Sequence, residues 1–204
     1  MRDTSVESTK NAIKNAKILV APNDLAIDFF DRIAIEPSYA QTYAPTVGVQ
    51  VYSPENIRSV RPCSKKRMSR ISLFMWCIGW NERFDEIRKH YFANSHGLLM
   101  MFNQASLTTY EKQYYKAINE LGNYICTDNS QLEKFPVFAV YFKEISEDNT
   151  GVQQFKDMYS KLCNYAKTIC KKLEFSQLIV TGKFTEKNAD IVYEFIAKTL
   201  CSLL

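Results

Sequence analysis

The residues of this chain that could bind a metal or carry redox chemistry are six cysteines and two histidines. The cysteines lie at positions 63, 77, 126, 163, 170 and 201, and no two of them form a Cys-x-x-Cys pair. His90 and His96 are not spaced with them as a zinc site requires. We therefore predict that the chain binds no metal and that its thiols are reduced. Cys77 follows an apolar run, so we expect a buried structural thiol rather than a nucleophile.

A second group of candidate residues is a cluster of positive charges in a long connecting segment, residues 53–70. Its cations are Arg58, Arg61, Lys65, Lys66, Arg67 and Arg70. Two interpretations remain open, because the segment is either simply solvated or the contact site of an acidic partner or an acidic membrane surface. We predict no nucleic-acid binding, since no aromatic side chains are interleaved with these charges.

The four C-terminal residues fit a third kind of chemistry, which is lipid attachment. Cys201-Ser202-Leu203-Leu204 matches the C-a-a-X pattern, and leucine in the last position directs geranylgeranylation of the cysteine. Thr199, Leu200 and Leu203 also continue a helical apolar stripe. Cys201 is therefore a candidate lipidation site, and the alternative is that it simply belongs to the last helix.

The composition fits one globular domain with a sizeable core. The 204 residues are 46% hydrophobic and 24% charged, and the net charge of +4 does not by itself indicate a nucleic-acid partner. Residues 1–17 contain no apolar segment of a secretory leader, and no apolar run approaches the ~18 residues of a membrane span. We expect a cytoplasmic protein, with association to a membrane or the cytoskeleton left open.

Apolar runs alternate with amphipathic segments along the chain. We predict strands at 17–21, 47–52, 71–76, 97–102, 137–142 and 177–180. Between them lie helical stripes, the longest of which extends from Val152 to Leu173. Continuous apolar strands indicate a sheet covered on both faces, and strands alternating with helices indicate an open α/β sheet. Residues 1–15 are predicted to be an N-terminal extension, and residues 16–204 one domain.

Three motifs, which follow one another along the chain in the family's order, resemble those of small GTPases, particularly Rab-like members. Residues 76–84, W-C-I-G-W-N-E-R-F, are similar to W-D-T-A-G-Q-E-R-F, with Trp76, Glu82, Arg83 and Phe84 retained. Residues 43–49, Y-A-P-T-V-G-V, resemble the first switch, Y-x-P-T-I-G-V, and place Thr46 at the magnesium-sensing threonine. Residues 95–97, S-H-G, are similar to the A-H-G that leads into the fourth strand of Rab proteins.

The resemblance implies a fold. It is a single Ras-like domain of the P-loop NTPase type, with a mostly parallel six-stranded sheet, one antiparallel strand and about five helices. The chain passes directly from the second strand to the third, and in the Ras-like fold these two strands pair antiparallel.

The phosphate-binding motif of the family, G-x-x-x-x-G-K-[ST], is missing at its expected place. After the first strand the chain has P-N-D-L-A-I-D-F, residues 22–29, with neither glycine nor lysine. Pro22 removes a backbone donor, and Asp24 and Asp28 place negative charge where a triphosphate would bind.

The other nucleotide contacts are altered too. Cys77 replaces the magnesium-shell aspartate, Trp80 the glycine at the γ-phosphate, and Asn81 the water-orienting glutamine. The guanine motif N-K-x-D is replaced by Phe142-Lys143-Glu144-Ile145, and Ile145 cannot accept a hydrogen bond from a base. Residues 181–183, T-G-K, still resemble the family's S-A-K, with Lys183 at the lysine.

We therefore expect a pseudo-GTPase without catalytic residues or cofactor. Our hypothesis is that Trp80, Phe142, Ile145 and Phe29 or Phe30 fill the former pocket and lock the switches in one state. The expected role is that of an adaptor or structural subunit in a trafficking, ciliary or cytoskeletal complex. The alternative is a divergent GTP-binding, prenylated GTPase of membrane trafficking.

The resemblance also implies where protein partners bind, since GTPases contact their effectors through the two switches. The predicted contact surface spans residues 43–52 and 80–92, and exposed aromatic residues in it would be hot spots. Its members are Tyr43, Thr46, Val49, Trp80, Arg83, Phe84 and Tyr91.

Overall fold

The structure is a computed structural model. It describes residues 15–33, 49–52, 71–80, 82–127, 133–147, 149–182 and 185–203. The predicted N-terminal extension, apart from residue 15, and the whole basic segment 53–70 lie outside the described residues, as do Tyr43, Thr46, Asn81 and Lys183.

Strands and helices alternate through most of the described part of the chain. The strands are β1 (Asn15–Ala21), β2 (Val49–Tyr52), β3 (Ser72–Ile78), β4 (Gly97–Phe102), β5 (Phe135–Lys143) and β6 (Leu173–Thr181). The α-helices are α1 (Asn23–Ile33), α2 (Asp85–Arg88), α3 (Ser106–Thr109), α4 (Glu111–Thr127), α5 (Thr150–Ile169) and α6 (Glu186–Leu203). Short 3-10 turns, Glu82–Phe84 and Lys89–Tyr91, flank α2.

The six strands form one sheet in the order β2-β3-β1-β4-β5-β6. β2 and β3 pair antiparallel, with Val51 opposite Trp76, and all other pairs are parallel. The predicted mostly parallel sheet with one antiparallel strand is therefore confirmed, and the expected number of about five helices becomes six α-helices among the described residues.

The sheet is covered on both faces, as its uninterrupted apolar strands require. The first eight of the nine residues of β5 are buried, because helices pack on either side of it. One core lies on the face of α1 and α6, and the other on the face of α4 and α5. The first includes Ile18, Val20, Phe29, Phe30, Met75, Phe138, Phe142, Tyr193 and Ile196. The second includes Leu19, Trp80, Phe92, Phe102, Tyr114, Tyr141, Phe155 and Leu162.

The structure corrects the boundary between α5 and β6. The predicted helical stripe extends to Leu173, but α5 ends at Ile169 and Leu173 is the first residue of β6. Leu173 is buried at the start of the strand, so its burial fits both patterns and the apolar spacing alone could not separate them.

The turn into β4 is fixed by contacts with β1. The Nδ1 atom of His96 accepts a hydrogen bond from the N–H of Lys17 at 3.1 Å, and the N–H of His96 donates to the carbonyl of Lys17 at 2.8 Å. Gly97 follows, and a Cβ there would lie 2.7 Å from the ring of Phe138. The histidine must be neutral at Nδ1 to accept its bond. Burial, and then the charge of Lys17, lowers the pKa of His96.

We predict that His96 makes stability depend on pH. Because its pKa in the folded chain lies below the unfolded value near 6.5, its contribution is complete above about pH 6.5 and is lost as pH falls. The free energy of unfolding should fall by up to about 1.4 kcal/mol per pH unit below that point. Urea unfolding between pH 5 and 7.5 would measure the slope of the unfolding free energy against pH.

Two variants test the assignment to this residue. His96→Asn keeps a hydrogen-bond acceptor without a titrating group and should flatten the slope. His90→Asn changes an exposed histidine and should keep the wild-type profile. An unchanged slope in His96→Asn would contradict the prediction.

Candidate functional site

The candidate site lies beside β1, at the carboxyl ends of the parallel strands. The chain runs from β1 to the β2–β3 side of the sheet and then returns past β1 to β4, so the order reverses at β1. In open α/β sheets, ligands bind at such a switch point. Residues at these strand ends include Pro22, Trp80, Asn103 and Glu144.

The connection between β1 and α1 consists of a single residue, Pro22. β1 ends at Ala21 and α1 begins at Asn23, and both elements lie within the described residues. The Pro22 carbonyl accepts a hydrogen bond from the N–H of Ala26 at 3.2 Å, so it already belongs to the first helical turn. A phosphate loop needs several residues here, including glycines whose N–H groups surround the phosphates. This connection is too short to form one.

Trp80 is bonded to the end of β1. Its indole Nε1–H donates to the carbonyl of Val20 at 3.0 Å, and the side chain is only 3% exposed. The ring stacks on Phe92 with the centroids 6.2 Å apart. The predicted replacement of a phosphate-contacting glycine therefore places a bulky, anchored side chain next to the β1–α1 connection. Because Trp80 is buried, it does not meet the condition of exposure under which it would be a hot spot of the predicted contact surface.

Arg88 is a fully buried cation in the segment after Trp80. Its guanidinium donates to the carbonyl of Gly79 at 2.6 Å and to the two carboxylate oxygens of Glu120 at 2.7 and 2.9 Å. It also donates to Asp85, and it lies 5.1 Å from the centroid of the Trp80 ring. Burial lowers the pKa of Arg88, but the hydrogen bonds and charges of Glu120 and Asp85 outweigh it, so the pKa is raised.

Lys116 joins the same ion-pair cluster from α4. Its ammonium lies 2.8 Å from Asp85 and 3.8 Å from Glu120. The hydrogen bond from Lys116 is the main reason that the pKa of Asp85 is lowered, and Arg88 contributes to the shift. We call Asp85, Arg88, Lys116 and Glu120 the Arg88 cluster. It attaches the segment that resembles the second switch to α4.

The positions that resemble the guanine motif have separate environments. Phe142 is buried, and its ring centroid lies 5.0 Å from that of Phe29, as a filled pocket requires. Ile145 is 80% exposed, so the prediction that it fills the pocket is wrong. The physical reason is that β5 ends at Lys143 and Ile145 lies in the turn beyond the sheet. The Lys143 ammonium donates to Asn149 at 2.9 Å.

A cavity of about 350 Å³ opens at the carboxyl ends of β4 and β5. The described residues that line it include two glutamates and no lysine or arginine; they are Asn103, Gln104, Ala105, Phe142, Glu144 and Glu147. The carboxylate of Glu147 accepts hydrogen bonds from the hydroxyl of Tyr141 and, at 3.1 Å, from the N–H of Glu144. Two carboxylates at this edge repel a polyphosphate.

Other predicted site residues are distributed over the domain. Asp28 is exposed on α1, and Cys77 is fully buried in β3, as expected of a structural thiol. Cys201 is half-buried within α6, and burial raises its pKa. Among the described residues, no group of histidine, cysteine, aspartate or glutamate side chains has the arrangement of a metal site. No described helix has the length and apolarity needed to span a bilayer.

The predicted contact surface is only partly exposed. Phe84 is 8% exposed, so its side chain cannot serve as a large contact, and the exposed Arg83 guanidinium covers its ring at 4.6 Å. Val49 and Tyr91 are half-buried and remain available at the surface.

Val49 and Tyr91 belong to an apolar patch whose extent was not part of the predicted contact surface. Val51 is 42% exposed opposite Trp76, whose ring centroid lies 6.0 Å from that of Tyr91. Ile87 is 49% exposed in the same segment as Tyr91, one turn before it. We call Val49, Val51, Trp76, Ile87 and Tyr91 the β2–β3 patch.

Sequence reasoning missed the Arg88 cluster. Arg88 follows an acidic helical turn and has the pattern of a solvated residue, and Glu120 lies on another helix 32 positions away. No local spacing connects them, so only the packing of α4 against the segment could show the pair.

Two of three comparisons with known proteins agree with this architecture. Residues 30–129 match the family described as the Ras of Complex, Roc, domain of DAPkinase. The match covers just under half of the chain and begins inside α1, after the β1–α1 connection. A search of curated proteins gave no match.

A solved structure has a similar fold over most of the chain. It is the Arl6 BBS3 small GTPase from Trypanosoma brucei with the bound nucleotide analogue GppNp. The likeness covers 93% of this chain and 99% of that one, at 10% identity and a TM-score of 0.56. The chain therefore has the fold of a small GTPase.

We predict that the Arg88 cluster contributes strongly to stability. Arg88→Ala leaves Glu120 and the Gly79 carbonyl without their donor, and losing one partner of a buried ion pair costs about 3–5 kcal/mol of unfolding free energy. Lys89→Ala removes the exposed neighbouring cation and should change stability by less than about 0.5 kcal/mol. Urea unfolding of both variants would measure the difference, and equal effects would contradict it.

Proposed function

We propose that this chain is a small-GTPase-like domain that acts as a protein-binding subunit and does not use GTP. The single observation that carries the proposal is the one-residue connection at Pro22, between two described elements. Without a loop, the N–H groups available to a phosphate are only those of the first turn of α1, and that turn carries the negative charge of Asp24.

The packing around this connection supports the same conclusion. Trp80 donates to the Val20 carbonyl at the end of β1, and Phe142 packs on Phe29 where the base-binding motif would lie. Aromatic side chains thereby occupy positions where a GTPase uses glycine and asparagine, and each can bury ~150–250 Å².

The Arg88 cluster supports a constitutive state of the second switch. In GTPases, contacts to the γ-phosphate and magnesium order the switches, and hydrolysis releases them. Here Arg88 bonds to Gly79 and Glu120 of the protein itself. The segment is thus ordered by internal contacts that no nucleotide has to supply.

The β2–β3 patch is the surface that we assign to a protein partner. Its apolar side chains are contributed by two strands and the α2 segment, and Val51 and Ile87 are among the large apolar residues most exposed in the described structure. The expected partner presents apolar side chains to this patch. The expected complex is a trafficking, ciliary or cytoskeletal assembly, located in the cytoplasm or at a membrane.

We predict that guanine nucleotides do not stabilise the protein. A ligand present at 100 times its Kd stabilises by about 2.7 kcal/mol, equal to roughly 5–10 °C in Tm for a domain of this size. With millimolar GTP or GDP and Mg²⁺, Tm should change by less than about 1 °C. Chromatography of the heat-denatured purified protein should release no guanine nucleotide.

The same experiment separates this proposal from its alternative. A saturable rise in Tm with GTP or GDP but not with ATP would support the divergent GTPase and overturn the nucleotide-free proposal. In that case partner binding would also have to be compared with and without nucleotide.

We further predict that the β2–β3 patch is required for partner binding. The double variant Val51→Asp and Ile87→Asp should reduce co-purification of partners at least tenfold, because each carboxylate would be desolvated in an apolar interface. Ile191→Asp is the matched control, since Ile191 is 40% exposed on α6, which packs on the other face of the sheet. Quantitative mass spectrometry of purified complexes would compare them, with circular dichroism to verify folding. If the double variant and Ile191→Asp lost partners to the same extent, the assignment of the β2–β3 patch as the partner-binding surface would be contradicted.

A further inference from the structure

Two cysteines from distant parts of the chain meet at the amino-terminal edge of the sheet. Cys126 is exposed in the last turn of α4, and Cys170 is the buried residue that ends α5. The Cys126 thiol donates a hydrogen bond to the carbonyl of Ile169, the residue before Cys170, with a sulfur–oxygen distance of 3.7 Å. It is also close enough to the Cys170 thiol for that neighbour to raise its pKa.

The approach of the two backbones brings the thiols together. Gly122 lies one helical turn before Cys126, and a Cβ there would lie 3.5 Å from the Cβ of Cys170 and 2.9 Å from Ile169. A glycine at this position allows α4 to lie directly against the end of α5. This close packing at Gly122 places the last turn of α4, which carries Cys126, beside Cys170.

We propose that Cys126 and Cys170 are a redox-active pair that forms a reversible disulfide between α4 and the end of α5. Exposure assigns the two roles, because only the Cys126 sulfur can meet an oxidant from solution, whereas Cys170 can reach only Cys126. The disulfides of intracellular proteins are commonly of this transient kind.

The oxidant in this proposal is a small-molecule disulfide such as oxidised glutathione. The Cys126 thiolate attacks one glutathione sulfur, forms a mixed disulfide and releases the other glutathione as a thiolate, which takes up a proton. The Cys170 thiolate then attacks the sulfur of Cys126 and releases the second glutathione. In total, two protein thiols are oxidised to one disulfide and one glutathione disulfide is reduced to two thiols.

The contact with Cys170, and then burial, raises the pKa of Cys126. The thiolate that attacks is therefore scarce at neutral pH, and the first step should become faster as pH rises. The disulfide would hold the end of α4 to the turn before β6. It lies at the opposite end of the strands from the β1–α1 connection, so partner binding at the β2–β3 patch is expected to be the same in both redox states.

Oxidation of the purified full chain with a series of glutathione redox buffers tests the proposal. After the remaining thiols are blocked, peptide mass spectrometry should find a linked pair containing Cys126 and Cys170, reversible with dithiothreitol. Oxidation should raise Tm by roughly 5–15 °C, because the link restricts the unfolded chain.

Two serine variants make the test specific. Cys126→Ser changes an exposed residue and should abolish both the linked peptide and the Tm increase. Cys163→Ser is the control, because Cys163 lies within α5, the helix that Cys170 follows. It should retain the linked peptide and the Tm increase. Glutathione that persists on Cys126 without a link, or an equal Tm increase in Cys126→Ser, would overturn the proposal.

Discussion

A guanidinium taken out of water must be matched by acceptors, and this requirement organises the region around Arg88. Among the described residues, its acceptors include the carbonyl of Gly79 after β3, Asp85 of its own helical segment and Glu120 of α4. Removing any one of them would leave a buried charge incompletely paired, which costs far more than an exposed ion pair contributes. The positions of β3, α2 and α4 are therefore coupled through one side chain, and Trp80 lies under the same guanidinium.

The second constraint is the short path from β1 to α1. A strand that enters its helix after one residue gives a stable unit, because the Pro22 carbonyl bonds to Ala26 and the indole of Trp80 bonds to Val20. The same shortness leaves no room at this point for a glycine-rich loop like the one whose N–H groups surround phosphates in P-loop proteins.

The fold and the chemistry of the chain are consequently separate questions. The sheet order, the antiparallel β2–β3 pair and the likeness to a nucleotide-bound small GTPase concern the scaffold. The contacts that such scaffolds use for nucleotide depend on a few residues at the strand ends, and here these residues are proline, tryptophan and phenylalanine. A shared fold with 10% identity does not transfer function, which depends on the site.

The sequence by itself determined the elements and the substitutions. Continuous apolar runs predicted all six strands, because buried β-strands need no amphipathic alternation, and Trp76, Arg83 and Phe84 identified the scaffold. Tertiary structure alone decided which side chains are buried, including those that replace the GTPase motif residues. Ile145 was expected to fill the former pocket but lies in a turn beyond β5, whereas Arg88, which no motif singled out, is fully buried against Glu120. The physical reason is that burial depends on contacts between elements far apart in the chain, and local spacing contains no information about those contacts.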